Sequence, residues 1–315
     1  MSEAHVHSHL SARDEVLSTE KGIRALKVSI AGLTLTALFQ ANIALLGGSA
    51  GLLADTIHNL ADIFTAFPLW IAFALARREA TKRFTYGYGR AEDVAGAVIV
   101  LFIVGSAFFS ASESYARLVE RRVPTLVEWG MVAALVGVVG NEVVAQYKIK
   151  VGREIGSAAL IADGQHSRTD GLTSLAAFLG LLGVKLDFPI ADPIAGLFIT
   201  VFILAIVWDV GRDIIGRLMD AVDPAIVAQM EQIAGNHPGV SSVNHLRARW
   251  LGHKLTMEMA ICVDGALPLV EAHAIAEDVR HELLDHIPRL TNVIVHVDPI
   301  ELQPGEYHPL PSHHH

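Results

Sequence analysis

Ala162-Asp163-Gly164-Gln165-His166-Ser167-Arg168-Thr169-Asp170 interrupts a stretch, Ser157–Val184, that is otherwise apolar. An apolar run of about 20 residues is the length that crosses a bilayer as a helix. Charged and ionisable groups inside such a run are expensive and mark an ion or substrate path. The same pattern, A-D-x-x-H-x-x-x-D, recurs at Ala54-Asp55-Thr56-Ile57-His58-Asn59-Leu60-Ala61-Asp62, again within an apolar run. Outside an N-terminal tract holding His5, His7 and His9, His58 and His166 are the only histidines in the first 222 residues. A chance origin for the duplication is therefore a poor explanation.

Working outward from these two motifs, the apolar runs count six. Val28 to Ala54 carries no charge, and Gly47-Gly48-Ser49-Ala50-Gly51 breaks it into one spanning helix, a tight turn and the start of a second. The second then runs to about Ala76. Val94–Ser112, Trp129–Tyr147, Ser157–Val184 and Ile190–Trp208 read as the third to sixth. A mean hydropathy of +0.42 with only 18% charged residues, against about 25% in soluble domains, excludes an ordinary soluble enzyme. One cysteine, Cys262, excludes a disulfide framework and a Cys-rich zinc module. A net charge of −9 argues against nucleic acid as a partner.

Charge also divides the chain. Residues 1–222 hold 19 Lys+Arg and 21 Asp+Glu, a net of −2, whereas residues 223–315 hold 5 and 12, a net of −7. The organisation expected is a polar N-terminal segment over 1–26, a six-helix all-α transmembrane domain over 27–212, an acidic cytoplasmic domain over 213–300 and a flexible tail over 301–315. The N-terminal segment is polar and lacks the features of a signal peptide. Lys21, Arg24 and Lys27, then Arg77, Arg78, Lys82, Arg83 and Arg90, then Lys148, Lys150 and Arg153 are read as flanking the helices on one side. Arg117, Arg121, Arg122 and Lys185 lie on the other. The excess places both termini in the cytoplasm.

Positions i and i+4 of a helix share a face one turn apart, so His58 converges with Asp62 and His166 with Asp170. Two such pairs facing one another offer two imidazoles and two carboxylates, a donor set suited to tetrahedral Zn²⁺ or a similar transition metal. The plainer alternatives are ion pairs that hold a bundle together, or a proton relay. Asp55 and Asp163, a turn earlier, are candidate supporting or proton-handling groups, with structural hydrogen bonding as the alternative. Asn42 and Asn141 read as polar contacts between helices. Glu142 and Arg168 are also intramembrane, and a pair between them is expected.

These features together resemble the cation diffusion facilitator family, proton-coupled exporters of divalent transition metals. Six helices, H-x-x-x-D on the second and fifth, an acidic C-terminal domain and Phe84-Thr85-Tyr86-Gly87-Tyr88-Gly89-Arg90-Ala91-Glu92 before the third helix carry the resemblance, over roughly residues 20–300. It implies that His58, Asp62, His166 and Asp170 form the transport site, with Zn²⁺ as the cargo and Co²⁺, Cd²⁺ or Ni²⁺ as further cargoes. It also implies a homodimer in a lipid bilayer, placed by this reading in a bacterial inner membrane. Arg90 and Asp220 match a charge pair linking the membrane part to the dimer. An accessory metal site found before the third helix in some members is not expected, because Thr81, Phe84 and Tyr88 stand at its positions.

After Pro224 the pattern gives helix 225–236, strand 240–249, strand 253–263, helix 268–287 and strand 292–298, with turn signals at His237-Pro238-Gly239, Leu251-Gly252 and Asp264-Gly265. This αββαβ order resembles the family's small ferredoxin-like α+β domain, which dimerises and binds metal. His273, His296 and Asp298 match its ligand positions, while Asn244 and Ala260 replace two others. His245 and His253 are nearby substitutes, and a regulatory Zn²⁺ is the implied ion. No enzyme activity is expected, since no motif such as HExxH is present. The rival readings are a passive divalent-metal channel or uniporter and a metal-sensing interaction protein.

Overall fold

Backbone hydrogen bonding inside a bilayer can be satisfied only within helices or closed barrels, and the membrane part of this chain is helical. The computed structural model describes residues 3–47, 66–120, 127–188 and 190–300. They form two compact units, divided between Ile215 and Gly216.

The first unit holds α1 (Glu3–Gly47), α2 (Phe67–Ala76), α3 (Arg90–Glu120), α4 (Val127–Ile155), α5 (Ala158–Lys185) and all but the last turn of α6 (Ala191–Leu218), whose end from Gly216 on belongs to the second unit. Among the described residues, four helices are long and apolar enough to cross a membrane, over Ser18–Asn42, Arg90–Ala116, Val127–Ile155 and Ile194–Leu218. Large apolar side chains such as Phe108, Phe198, Val201 and Trp208 point outward, an arrangement that water opposes and lipid accepts. α5 matches the others in length but not in apolarity, because Asp163, His166, Arg168 and Asp170 occupy its first half. The second H-x-x-x-D motif, with Asp55, His58 and Asp62, lies outside the described residues, as does the tail over 301–315.

The helices outrun the apolar stretches that announced them. α1 is one 45-residue helix from Glu3, not a helix starting at Val28 behind a separate polar segment. Its early part is rich in Ala, Leu, Glu, Lys and Arg, which favour helix regardless of polarity. Gly22 lies against Phe73 of α2, where an added Cβ would come within 2.7 Å of the ring. α3 likewise begins at Arg90 and α6 continues to Leu218.

α4 and α5 form the tightest pair. Gly156, at φ 76°, reverses the chain after α4 in a left-handed conformation that costs glycine little. Ser157 caps α5 by accepting a hydrogen bond from the Leu160 N–H at 3.0 Å. Gly164 then lets the backbones meet. A Cβ there would lie 2.7 Å from Ile149 Cγ1 and 3.1 Å from the Ile149 backbone nitrogen. Gly164→Ala is expected to destabilise the unit by about 1–3 kcal/mol through overpacking, read as an earlier thermal transition of the detergent-solubilised protein. An unchanged transition would show that the helices can separate there without cost.

The second unit has the order αββαβ: α7 (Pro224–Asn236), β1 (Ser242–Leu251), β2 (Lys254–Val263), α8 (Leu269–His286) and β3 (Leu290–Pro299). Asp223 caps α7 by accepting from the Ala225 N–H. The three strands make one sheet in the order β1-β2-β3, antiparallel between β1 and β2 and parallel between β2 and β3. Alternation along β2 sends Met257, Met259, Ile261 and Val263 into a core with Met230, Val279 and Leu283 of the helices. Thr256, Glu258, Ala260 and Cys262 take the opposite face. Asn244, Ala260 and His296 stand side by side across the three strands.

Candidate metal site

α5 runs for 28 residues, about 42 Å at helical rise. His166 falls about 12 Å along it and Asp170 about 18 Å, so both lie well inside the helix. His166 is 2% exposed. Its ring lies alongside that of Phe102 in α3, with centroids 6.4 Å apart and planes 25° from parallel. One turn on, Asp170 Oδ1 is 3.9 Å from His166 Nδ1.

This spacing is too long for a hydrogen bond and close to that of two donors sharing one ion. At about 2.0–2.1 Å from a tetrahedral Zn²⁺, a nitrogen and an oxygen would be roughly 3.3 Å apart. Closing the remaining gap asks only a small side-chain adjustment. The pair supplies two donors. Among the described residues no group of three or more His, Cys, Asp or Glu side chains gathers as a metal site. His58 and Asp62 are the residues expected to complete it, and they lie outside the described residues.

Asp163 behaves differently from the pair. It is fully buried and lies 2.7 Å from Lys148 Nζ of α4, itself 1% exposed. The contact is a short ionic one to Oδ2, and Asp163 Oδ1 has no hydrogen-bond partner among the described residues. Lys148 also donates to Ser167 Oγ at 3.1 Å. The sequence placed Lys148 in a loop as a marker of membrane orientation. That is corrected here: it sits inside α4 and faces α5, because a charge with a buried partner need not reach for the headgroups. A lysine spaced seven residues before the end of an apolar helix, opposite an unpaired aspartate in the next, was the available signal.

The expected Glu142–Arg168 pair forms and is bidentate. Arg168 donates through Nε to Glu142 Oε2 at 3.1 Å and through its terminal nitrogen to Oε1 at 2.9 Å. Gln146 adds a third donor to the same carboxylate. Asn42 donates to Leu38 O of its own helix, and among the described residues it has no hydrogen bond joining it to another helix. Gln40 does that work, donating to Ala133 O of α4 at 3.0 Å. Asn141 is buried against Gly171 of α5.

In the second unit only part of the expected donor set converges. His296 Nε2 is 3.1 Å from Asp298 Oδ1, with Asp298 buried and His296 half-exposed. His245 is exposed in a bulge of β1 at φ 50°, and His273 is exposed on α8. His253 is buried in the β1–β2 turn. About six residues of β2 separate that turn from the level of His296, roughly 20 Å. Arg217 caps the same turn by donating to Gly252 O at 3.2 Å and stacking over Trp250 at 4.7 Å. Burial, and then repulsion from Arg217, lowers the Arg289 guanidinium from its ordinary value. A corner so basic disfavours a cation, and His253 does not belong with His296 and Asp298. Arg90 opens α3 in one unit and Asp220 follows α6 in the other, at φ 63°.

Comparison with known proteins adds the following. Residues 26–219 match the cation efflux transmembrane domain, and residues 222–300 match the cation efflux protein cytoplasmic domain. A probable cation efflux system protein of Mycobacterium tuberculosis is 50% identical over 298 residues, 94% of this chain and 90% of its own. The magnetosome protein MamB of Magnetospirillum gryphiswaldense is 30% identical over 267 residues, 83% of this chain and 89% of its own. The manganese efflux system protein MneP of Bacillus subtilis is 26% identical over 264 residues, 81% of this chain and 88% of its own.

Proposed function

Because the chain belongs to the cation diffusion facilitator family of multi-pass divalent-metal transporters, we propose that it exports Zn²⁺ from the cytoplasm in exchange for protons. The observation that carries this reading is the His166–Asp170 pair inside α5, with His166 buried and the Asp170 side chain 12% exposed. An imidazole and a carboxylate 3.9 Å apart on one helix face are spaced to share one ion. With His58 and Asp62 they give a balanced set of two nitrogens and two oxygens, which favours Zn²⁺, Co²⁺, Cd²⁺ or Ni²⁺ over a harder ion. A relative at 26% identity is named for manganese efflux, so the donor set, not the family, is the ground for preferring Zn²⁺.

The cycle follows from the ligands. Metal enters from the cytoplasm when the imidazoles and carboxylates are deprotonated. The helices then repack and open the site outward. Protons compete there for the same atoms and release the ion, since metal affinity falls as its ligands protonate. Histidine suits this exchange because it titrates near physiological pH. Two segments complete the architecture: a second spanning helix that follows the Gly47–Gly51 turn and runs to about Ala76, making six, and a ferredoxin-like cytoplasmic domain that pairs two copies. His296 and Asp298 supply two donors of a regulatory metal site in that domain. Arg90 and Asp220 link it to the membrane part, and both termini lie in the cytoplasm of a bacterial cell.

The test is metal uptake by proteoliposomes carrying an internal pH reporter, with Zn²⁺, Co²⁺, Cd²⁺, Ni²⁺ and Mn²⁺ in turn. Zn²⁺ movement matched by opposite proton movement is the expected result. Metal movement with no proton movement would replace the antiporter with a uniporter or channel. Mn²⁺ moving faster than Zn²⁺ would overturn the assigned cargo.

A further inference from the structure

The charges buried between α4 and α5 do not all belong to the proposed transport site. Lys148 Nζ contacts Asp163 Oδ2 at 2.7 Å and donates to Ser167 Oγ at 3.1 Å, and Ser167 donates to the Asp163 carbonyl oxygen at 3.4 Å. Residues 163 and 167 stand three before and one after His166. One ammonium therefore clasps the two turns of α5 that flank the imidazole. Asp163 is fully buried, and its Oδ1 has no hydrogen-bond partner among the described residues. Residues 163, 166 and 170 follow the i, i+3, i+7 spacing of one helix face. Asp163 is therefore a buried carboxylate, with spare lone pairs, one turn from a proposed metal ligand.

We propose that Lys148 is a specificity-determining residue that holds the Asp163 carboxylate on α4 and out of the coordination of the transported ion. The inference rests on His166 and Asp170 forming the transport site. Zn²⁺ is content with four N and O donors in a tetrahedron. Mn²⁺ favours six donors rich in oxygen. A third carboxylate reaching the site would add the oxygen that a harder, higher-coordinate ion wants and that Zn²⁺ does not need. Tying Asp163 to a lysine withholds that oxygen without removing it. It also rotates α5 into a fixed aspect, because the clasp spans more than one turn. Lys148 touches no cargo in this scheme and acts through Asp163, as a positioning residue.

The experiment measures the ratio of initial Mn²⁺ to Zn²⁺ uptake rates in proteoliposomes of the full chain. It compares wild type, Lys148→Met, Asp163→Asn, the double variant Lys148→Met/Asp163→Asn, and Asp170→Ala. Lys148→Met is expected to raise the ratio about tenfold, the scale on which groups supporting a metal ligand alter affinity. The double variant is expected to return the ratio to within about twofold of wild type, because the freed carboxylate is gone. A purely structural role would slow both ions equally and leave the ratio alone. An unchanged ratio in an active Lys148→Met protein overturns the proposal, and so does a double variant that keeps the single variant's shift. If Lys148→Met does not fold, Lys148→Leu, which likewise removes the ammonium and every donor to Asp163, carries the same expectation and the same refutation. Asp170→Ala separates the two levels. Retained uptake of both ions in that variant sinks the transport-site reading itself. Lost uptake there, with an unshifted ratio in Lys148→Met, sinks only the role of Lys148.

Discussion

His166→Ala is expected to lower Zn²⁺ flux by more than about a hundredfold, beyond the 10–100-fold loss that follows when only a ligand's supporting partner is removed. The reason is that the imidazole is itself a proposed donor. It is 2% exposed, set against Phe102, and 3.9 Å from Asp170. With it gone, the proposed four-donor site has three. Asp170→Ala should do the same, with a further penalty because one of the two carboxylates that offset the ion's charge is lost. Both variants should still give the elution profile of wild type, since neither residue takes part in the buried Lys148–Asp163 pair that joins α4 to α5. Flux within about threefold of wild type in either variant would remove that residue from the transport path. Zinc titration calorimetry on the same samples separates lost binding from lost movement.

Lys148→Ala is expected to destabilise the membrane unit by about 3–5 kcal/mol, the cost of breaking a buried pair from one side. The ammonium and the Asp163 carboxylate are both buried and 2.7 Å apart. Removing one leaves the other charged and without its counter-ion, in a place water reaches poorly. Replacing both tells a different story. Buried pairs exchanged for apolar groups of similar volume are often neutral or more stable, so Lys148→Met/Asp163→Leu should unfold within about 1 kcal/mol of wild type. Denaturant unfolding in detergent, followed by tryptophan fluorescence, measures both. A Lys148→Ala protein as stable as wild type would mean that the pair is solvated after all.

The partly exposed Glu142–Arg168 pair is not expected to match that effect, although its bidentate geometry is the better formed. Both partners keep about a third of their side-chain surface accessible, and exposure screens what the geometry offers. Burial, not hydrogen-bond count, ranks the two pairs.

The sequence alone carried the existence and order of the apolar helices, the repeated H-x-x-x-D spacing and the αββαβ order of the acidic unit. Each of these rests on local periodicity. An apolar run reports bilayer thickness, and i, i+4 spacing reports a helix face, whatever the rest of the chain does. The helix ends escaped for a related reason. Apolarity stops at the bilayer edge, but helical hydrogen bonding continues through Arg90, Lys150 and Arg212 until Gly156 or the segment before Pro224 breaks it. α5 shows the converse: its buried Asp163 and His166 make it too polar to qualify by hydropathy, though it is built like its neighbours. What only the tertiary structure decided was which charges meet. Lys148 read as an orientation marker, and Asp163 as a companion of His166, because sequence spacing describes one helix at a time. Their pairing depends on the close approach of α4 and α5 at Gly164, where the missing Cβ lets two backbones come near enough for a lysine of one to reach an aspartate of the other.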